Sequence, residues 1–450
     1  MDTVAMESLA TSFEAGAGRG EEPNWLSRLR RDAFDLFLDA GLPRAKDEDW
    51  RWTRLDGLAA TRLVPALPNA AVSKGALESR YLFEPSASRL VFVDGRFRPE
   101  FSVQPSPPRG VHIQPLRQAT SSEAKLLKDR YGRRAGMNKR PFLALNAAFF
   151  DDGALLRLDD GAALDHPLHL VFYSTGTAHG EGTAASHPRA LIVAGRRSRA
   201  TIVETHFGPD GVPYLANSFT ELHAGEGASI DHLRVQEEGD RALSFGQLDV
   251  YLAGHAEVHA HAFAFGAALC RQEVRVRFAA PGGRCTLEGL AVVGGSQHVD
   301  TWTEVDHSVP DCKSTQAFRS VLADRSRGVF RGGVIVRQDA QHTIAEQSNK
   351  NLLLSAEASA DSKPALEIHA DDVKCSHGVA IGQLDGDALF YLRSRGLGPE
   401  EARNLLVRAF VGAITATVRV PALRCRIDRM LATRLAVEGL EPEPMELVPA

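Results

Sequence analysis

The chain has 450 residues, of which 44% are hydrophobic and 24% charged, and its formal net charge is −5. These values are ordinary for a folded protein with a sizeable core, and the near-neutral charge argues against a nucleic-acid surface. No apolar run is long enough to span a membrane, and the acidic N-terminus lacks the apolar segment of a signal peptide. We therefore expect a cytoplasmic protein that binds neither nucleic acid nor membrane.

The first part of the chain predicts helices and short irregular segments. Residues 1–22 are small, polar and glycine-rich, and this composition predicts a disordered start. A helix is predicted from Asn24, because apolar residues then recur at helical spacing. Trp50 and Trp52 alternate with charged residues, and we expect them to pack on this helix rather than stack on a ligand. The result is a mixed N-terminal domain over residues 23–152.

From Gly153 onward, short segments alternate apolar and polar residues, which is typical of half-buried strands. Turn glycines recur at positions 195, 225, 254 and 282, about 29 residues apart, and a new alternating segment follows each of them. This constant period predicts a right-handed parallel β-helix, a solenoid, rather than an antiparallel sandwich or barrel. We expect this core over residues 153–383, with a free end that a partner β-helix could cover.

After Gly382 the apolar spacing becomes helical. A short helix is predicted up to Gly396, and Pro399 opens a second helix at its first turn. The apolar stripe predicted for this second helix consists of Leu405, Leu406, Ala409, Phe410 and Ala413. A third helix and a loose acidic tail complete a C-terminal helical domain over residues 384–450. The predicted fold is thus mainly β, with a solenoid core between N-terminal and C-terminal α-helical segments.

One group of potential metal ligands lies in the middle of the predicted solenoid. His255, His259 and His261 alternate along one segment with Glu257 between them, so that all four would share one face of a strand. Imidazoles and a carboxylate at this spacing could bind a transition metal, as at the beginning of a cupin site. Hydrogen-bonded strand histidines are the simpler interpretation. A cupin-like metalloenzyme is the alternative function that this group suggests.

A second pair of potential ligands, Cys375 and His377, lies on one face of the last predicted strand. Thiolate and imidazole hold zinc and iron–sulfur clusters, but two ligands do not complete either site. The pair fits a buried cysteine beside an exposed histidine, and it also fits a site shared between two chains. The odd cysteine count and the wide spacings predict free thiols in a reducing compartment. The cysteines that we assign to the core are Cys270, Cys285, Cys312 and Cys425.

The segment from Phe330 to Gly412 resembles the SufB/SufD family of iron–sulfur cluster assembly scaffolds. The matching blocks are FRGGVIVRQDAQHTIAEQSNKNLLLS and KPALEIHADDVKCSHGVAIGQLDGDALFYLRSRGL, and NWLSRLRRDAFDLFLDAGLPRAKDEDWRWTRL is similar to the N-terminal opening. The SNKNLLLS block lacks the cysteine of the SufB branch, and Gly378 rather than glutamate follows His377. The chain therefore resembles the SufD branch.

The resemblance implies a scaffold subunit of the SUF (SufBCD) complex that is not itself an enzyme, and no phosphate-binding loop occurs that would hydrolyse ATP. It implies pairing with SufB through the β-helix and docking of the SufC ATPase on the C-terminal helices. The residues expected at the SufC contact are Tyr391, Leu392, Arg395 and Phe410. His377 and Cys375 are expected to hold transient iron or a nascent cluster shared with SufB. Flavin binding is left open, as is a homodimer without SufB.

Overall fold

The structure is a computed structural model that describes residues 3–16, 22–83, 87–131 and 136–435. Its centre is a parallel β-solenoid whose successive turns each add one strand to each of two sheets. Within the described residues, one sheet has 11 strands and the other has 10. Helices lie at both ends of the chain and pack on this core.

The strands from β9 onward are longer than those before them. The strands are β1 (Leu63–Pro65), β2 (Arg89–Val93), β3 (Arg96–Phe97), β4 (Val111–Pro115), β5 (Gly153–Leu158), β6 (Leu168–Tyr173), β7 (Thr183–Ser186), β8 (Arg189–Ala194), β9 (Arg199–Phe207), β10 (Tyr214–Ala224), β11 (Ser229–Glu237), β12 (Leu243–Leu252), β13 (Glu257–Ala264), β14 (Leu269–Phe278), β15 (Arg284–Val293), β16 (His298–His307), β17 (Lys313–Leu322), β18 (Arg327–Val336), β19 (Ile344–Leu353), β20 (Ser359–Ile368) and β21 (Lys374–Gly382).

The helices precede and follow the solenoid. They are α1 (Val4–Glu14), α2 (Asn24–Ala40), α3 (Asp56–Ala59), α4 (Lys74–Glu78), α5 (Leu116–Ser122), α6 (Ala124–Tyr131), α7 (Pro141–Phe149), α8 (Gly386–Ser394), α9 (Pro399–Thr415) and α10 (Pro421–Leu435). Short 3-10 turns cover Glu48–Trp50, Pro99–Phe101 and Met137–Lys139. Of the helices in the described ranges, none has the length and apolar character needed to cross a lipid bilayer.

The strands of the solenoid alternate between the two sheets. The even-numbered strands β8 to β20 stack in one sheet and the odd-numbered strands β9 to β21 stack in the other, with every neighbouring pair parallel. The predicted parallel β-helix is therefore confirmed. An antiparallel sandwich is wrong, and so is a cupin-like fold, because cupins are built from antiparallel jelly-roll sheets.

The repeating glycines lie at one corner of the solenoid, where the chain passes from one sheet to the other. Gly195 follows β8 and Gly225 follows β10, and the amide of Gly225 donates to the carbonyl of Ala194 at 2.8 Å. A Cβ atom on Gly225 would lie 2.7 Å from that carbonyl oxygen. The turns therefore stack too closely for a side chain at Gly195 and Gly225. In the next turn the corresponding position is Ala253, whose amide donates to the carbonyl of Ala224, and Gly254 follows it.

The interior of the solenoid is filled by aligned side chains from successive turns. In the even-numbered sheet, Leu222, Val250, Val276 and Val305 are register partners and are almost completely buried. Because the side-chain period of a strand is two, alternate residues point inward and the others point outward. Each turn thus covers the inner residues of the turn before it.

The predicted disorder of residues 1–22 is wrong for Val4–Glu14, which forms α1. Thr3 caps this helix by accepting a hydrogen bond from the amide of Met6 at 3.3 Å. Leu9 and Phe13 are buried, and Phe13 stacks on Phe34 of α2 with ring centroids 4.1 Å apart. The glycine-rich composition concealed apolar residues at helical spacing. Residues 1–2 and 17–21 lie outside the described residues.

The N-terminal end of the solenoid is closed by short, antiparallel strands. The two-residue strand β3 pairs antiparallel with β2, and β4 pairs antiparallel with β5.

Trp50 is buried against Phe142 of α7 and Phe245 of β12, and the guanidinium of Arg271 lies 3.8 Å from its ring centroid. Trp50 is therefore a core residue, although its partners lie on α7 and β12 rather than on α2. Trp52 is only half-buried.

The helices α9 and α10 cover the outer face of the odd-numbered sheet. Val407 and Val411 of α9 are buried against outward residues of that sheet such as Leu233 and Phe263. The apolar stripe that the sequence predicts for α9 does not coincide with the face of the helix that is buried. The residues of α9 that are buried are Ala402, Val407, Val411, Ile414 and Thr415. Leu405 of the predicted stripe is exposed, because the sheet rather than the helix pattern selects which face is covered.

Candidate functional site

Cys375 and His377 lie on β21, the last strand of the solenoid. Cys375 is the register partner of Ala345, and His377 is the register partner of the buried Gln347 on β19. Ala345 and Gln347 point into the solenoid, so their aligned partners on β21 also point inward. The two predicted ligands therefore share the inner face of the final turn.

The final turn of the solenoid has no further turn of the described chain stacked on it. Its inward-facing side chains are exposed as a result: Ile368 is 41%, Val379 is 42% and Ile381 is 45% accessible. His377 is exposed and Cys375 is half-buried among these residues. The end of the solenoid is thus an apolar surface that contains a thiol and an imidazole. We call this surface, made by the inner faces of β20 and β21, the open end.

The surroundings of Cys375 disfavour the thiolate form in the isolated chain. Partial burial raises its pKa, although a backbone hydrogen bond at Ala345 acts in the opposite direction. Thiolate is the form that binds a metal, so Cys375 becomes a good ligand only when a nearby cation stabilises its charge. The pair supplies two ligands, which is fewer than a closed zinc or iron–sulfur site needs.

The remaining cysteines are free thiols, as predicted, but they differ in burial. Cys270 and Cys285 are fully buried, and burial raises the pKa of each thiol to about 12. Cys312 is also buried, whereas Cys425 on α10 is half-buried. The assignment to the core is confirmed for the first three and only partly for Cys425.

This difference in burial predicts which cysteines react with an alkylating reagent in the native chain. Iodoacetamide should modify Cys375 and Cys425 in the native chain and leave Cys270, Cys285 and Cys312 unmodified, because the reagent reaches only thiols that are at least partly accessible to solvent. The rate at Cys375 should increase as the pH is raised, since its pKa lies above the ordinary thiol value. Peptide mass spectrometry after quenching measures each site, and all five should react in guanidinium. Rapid labelling of Cys270 in the native chain would contradict the structure.

The predicted group of strand histidines is only partly assembled. His255 precedes β13 in a turn with φ of 56°, so it does not share the face of that strand. His259 and His261 do lie together, with ring centroids 4.2 Å apart, but their carboxylate partner is Glu288 on β15. Glu257 is exposed. The sequence placed the carboxylate on the same strand, whereas the parallel register brings it from the neighbouring strand.

A third polar cluster, which sequence reasoning missed, is enclosed inside the solenoid. The carboxylate of Glu204 accepts hydrogen bonds from His232 and His206, each at 3.0 Å, and lies 3.3 Å from the guanidinium of Arg234. Burial alone would raise the pKa of Glu204, but the histidines hold it well below its ordinary value. Four buried polar groups on β9 and β11 thus contact one another. The two residues on each strand lie two apart, but only the register of β9 with β11 brings the two pairs together.

The residues predicted at the ATPase contact differ in accessibility. Tyr391 is 56% exposed and Arg395 is exposed, with its guanidinium 5.1 Å from the centre of the Tyr391 ring. Leu392 is half-buried. Phe410 is half-buried because Arg319 of β17 packs over its ring and donates to its carbonyl. Phe390, which the sequence reasoning missed, is 74% exposed.

Two family models match this chain and together span most of its length. The SufBD core domain of the SUF system for FeS cluster assembly matches residues 175–410. The N-terminal region of SufBD proteins matches residues 18–170. The first match includes the greater part of the solenoid, α8 and most of α9, and the second includes α2 to α7.

Individual relatives match over almost the whole chain. An iron–sulfur cluster assembly SufBD family protein of Synechocystis sp. is 31% identical over 423 residues, which cover 92% of each chain. The iron–sulfur cluster assembly protein SufD of Escherichia coli is 28% identical over 399 residues, covering 89% of this chain and 90% of that protein. A SufBD family protein of Pyrococcus horikoshii is 24% identical over 425 residues, covering 90% and 92%. This chain therefore belongs to the SufBD family of iron–sulfur cluster assembly proteins.

Proposed function

We propose that this chain is the SufD-type scaffold subunit of a cytoplasmic SufBCD complex and that it has no catalytic activity of its own. In this role it pairs with a SufB-type chain, carries a SufC-type ATPase and helps to hold iron or a nascent cluster. The observation that carries the proposal is the open end, where Cys375 and His377 lie among exposed apolar side chains. The similarity to SufD of Escherichia coli over most of both chains supports the choice of branch.

Pairing at the open end follows from the physics of a stacked solenoid. A terminal turn has unpaired strand edges and an uncovered inner face, and both are stabilised by another stacked strand layer. Ile368, Val379 and Ile381 offer apolar surface for this contact. A second chain with a similar end would bury these residues and complete the interior packing. The SufB-type subunit is the partner that the family relationship suggests.

The incomplete ligand pair fits a shared cluster site. Cys375 and His377 supply one thiol and one imidazole to the surface that the partner would cover. Iron bound there by ligands of both chains would stabilise the thiolate of Cys375, whose pKa is raised in the isolated chain. Few ligands from each side suit a scaffold that must release its cluster.

The second partner surface is formed by α8. Phe390 and Tyr391 are exposed aromatic residues on consecutive positions of this short helix, which begins four residues after the end of β21. Asp385 caps the helix by accepting from the amides of Asp387 and Ala388, so its orientation is fixed. Exposed aromatic side chains beside an arginine are typical centres of protein interfaces. We assign the ATPase contact to this surface, with Arg395 at its edge.

Copurification tests the proposal. Coexpressed with SufB-type and SufC-type proteins of the same organism, the wild-type chain should purify with both. Combined Phe390→Ala and Tyr391→Ala substitutions should weaken ATPase binding at least tenfold and leave SufB-type pairing intact, because α8 and the open end are separate surfaces. Point substitutions are preferred to deletion, since α9 and α10 cover a buried face of the solenoid.

The matched control combines Leu38→Ala and Leu67→Ala, which remove exposed apolar side chains from the other end of the chain. Association constants measured by calorimetry and the stoichiometry of the purified complex give the result. Unchanged ATPase binding by the α8 variant would contradict the docking surface. A chain that purifies without either partner would contradict the proposed function as a whole.

A further inference from the structure

We propose that His259, His261 and Glu288 form a binding site for a divalent transition-metal ion, of the zinc class, separate from the open end. The site lies on the outer face of the odd-numbered sheet, where the segment after α9 crosses β13 and β15. It goes beyond the proposed scaffold function, which assigns no role to these residues. Within the described residues, these three side chains bring their ligand atoms within 4.8 Å of one another.

The distances between the ligand atoms fit a bound metal. His259 Nε2 lies 2.7 Å and His261 Nε2 lies 3.1 Å from the same carboxylate oxygen, Oε2 of Glu288. A metal held at about 2.0–2.1 Å by each ligand separates neighbouring ligand atoms by roughly 2.9–3.4 Å. Small side-chain movements would therefore admit an ion between the three groups. Two imidazoles and one carboxylate select zinc-like or iron-like ions over calcium or magnesium.

The backbone holds these groups in place before any ion arrives. His261 and Glu288 are register partners on parallel strands, and His259 lies two residues before His261 on the same face. The ring of His261 is parallel to that of Phe263, with an interplanar angle of 7°. Its Nε2 is also 3.0 Å from the hydroxyl of Thr417, which places a fourth potential ligand group at the site.

The local charge favours a cation. Glu288 places one carboxylate oxygen within hydrogen-bond distance of both imidazoles. Asp231, the register partner of His259, adds a second carboxylate, and the largely exposed Arg419 lies 3.6 Å from it. Thr417 follows the C-terminus of α9, where the helix dipole is negative.

The buried Glu204 cluster resembles the proposed site in composition but has no room for a metal ion. There, Glu204 also meets two histidines, but the guanidinium of Arg234 lies 2.9 Å from His206 Nε2 and 3.3 Å from the carboxylate. Arg234 occupies the position of a cation and supplies its charge. In the described part of the chain, the ion pairs of Glu288 are with the two histidines instead. His259 is 12% exposed, which gives an ion access from solvent.

Cobalt is the probe that tests the site. The full-length chain carrying Cys375→Ser and His377→Ala, which removes the open-end ligands, is treated with chelator and titrated with Co²⁺. We expect one equivalent to bind, with visible d–d absorption of a low-symmetry site that Zn²⁺ abolishes by displacement. Adding Glu288→Gln or His259→Gln should weaken binding at least tenfold. Saturating Zn²⁺ should also raise the midpoint of thermal unfolding of the parent chain but not of these variants.

The control is His342→Gln, because His342 contacts Asp311 and Asp372 on the surface and could bind cobalt weakly. The proposal predicts no change in the stoichiometric binding by this variant. Loss of the cobalt signal in His342→Gln alone would overturn it, as would a parent chain that binds no stoichiometric cobalt. The parent measurements decide the question even if a cluster variant fails to fold. Because the open-end ligands are absent throughout, the result does not depend on the proposed function.

Discussion

Replacing Val379 with aspartate should abolish pairing with the SufB-type partner while the chain itself stays folded. Val379 points to the inner face of the last turn and is 42% exposed, so a carboxylate is solvated there in the isolated chain. In the complex the same carboxylate would be buried without a partner, which costs several kcal/mol. We expect at least a 100-fold weaker association, about 2.7 kcal/mol, and a change in unfolding free energy below about 1 kcal/mol.

The measurement is an association constant by calorimetry, with thermal unfolding of the isolated chain as the test of folding. Ala380→Asp is the matched control, because Ala380 lies on the same strand and faces outward. The factor by which Ala380→Asp lowers the association constant should be at least ten times smaller than the factor for Val379→Asp. Equal effects of the two substitutions would show that the inner face is not the contact, and an unchanged constant for Val379→Asp would exclude the open end as the interface.

Replacing His377 with alanine should reduce iron and sulfide in the assembled complex at least about tenfold, since loss of even a supporting group at a metal site costs that much. Pairing with the partner should persist, because the imidazole is exposed and contributes little to the apolar contact surface. Complexes purified without oxygen are analysed for iron and acid-labile sulfide per mole. Cys375→Ser should act in the same direction, since both side chains lie on the inner face of β21.

His369→Ala is the control for this experiment. His369 is an exposed histidine directly after β20, and its Nε2 is 2.8 Å from the carboxylate of Glu367. It should leave iron and sulfide at the wild-type amount. If His377→Ala also keeps the wild-type amount, the imidazole is not a ligand and the assignment of the open end as a cluster site is wrong.

The solenoid could be predicted because its alternating strands and turn glycines recur at a nearly constant interval along the chain. Close backbone contact between successive turns excludes a side chain at Gly195 and Gly225, which are two of the glycines that mark the period. The alternation of strands likewise follows from one inward and one outward face. That Cys375 and His377 share a face could be predicted as well, since residues two apart on a strand lie on the same side of the sheet whatever the register.

Contacts between different strands could not be predicted in this way. Glu288 lies 29 residues from His259, and only the register of β13 with β15 brings the two together. The sequence offered Glu257 instead, which shares the strand but remains exposed. The cluster of Glu204 was missed because its members come from β9 and β11. Glu204 and His206 share a face of β9, but only the register with β11 places His232 and Arg234 beside them.

Helix faces were predicted less well than helix positions. The start of α9 at Pro399 follows from local chemistry, but its buried face depends on the sheet that it covers. Leu405 is exposed and Val407 is buried, so the apolar pattern of the helix alone does not show which of its apolar residues face the sheet.

The helix α1 was missed because glycines downstream dominated the composition, although Leu9 and Phe13 had helical spacing.

The two ends of the solenoid have unequal capacity for growth. The first end finishes in short antiparallel strands, β3 and β4, which offer no parallel template for another turn. The last end finishes in β20 and β21, whose inner faces are uncovered. A rod with one adhesive end can join a single neighbour, and the joined pair has no adhesive end left. Under the proposed pairing, assembly through this surface would stop at two chains, so an exposed solenoid end need not lead to fibres.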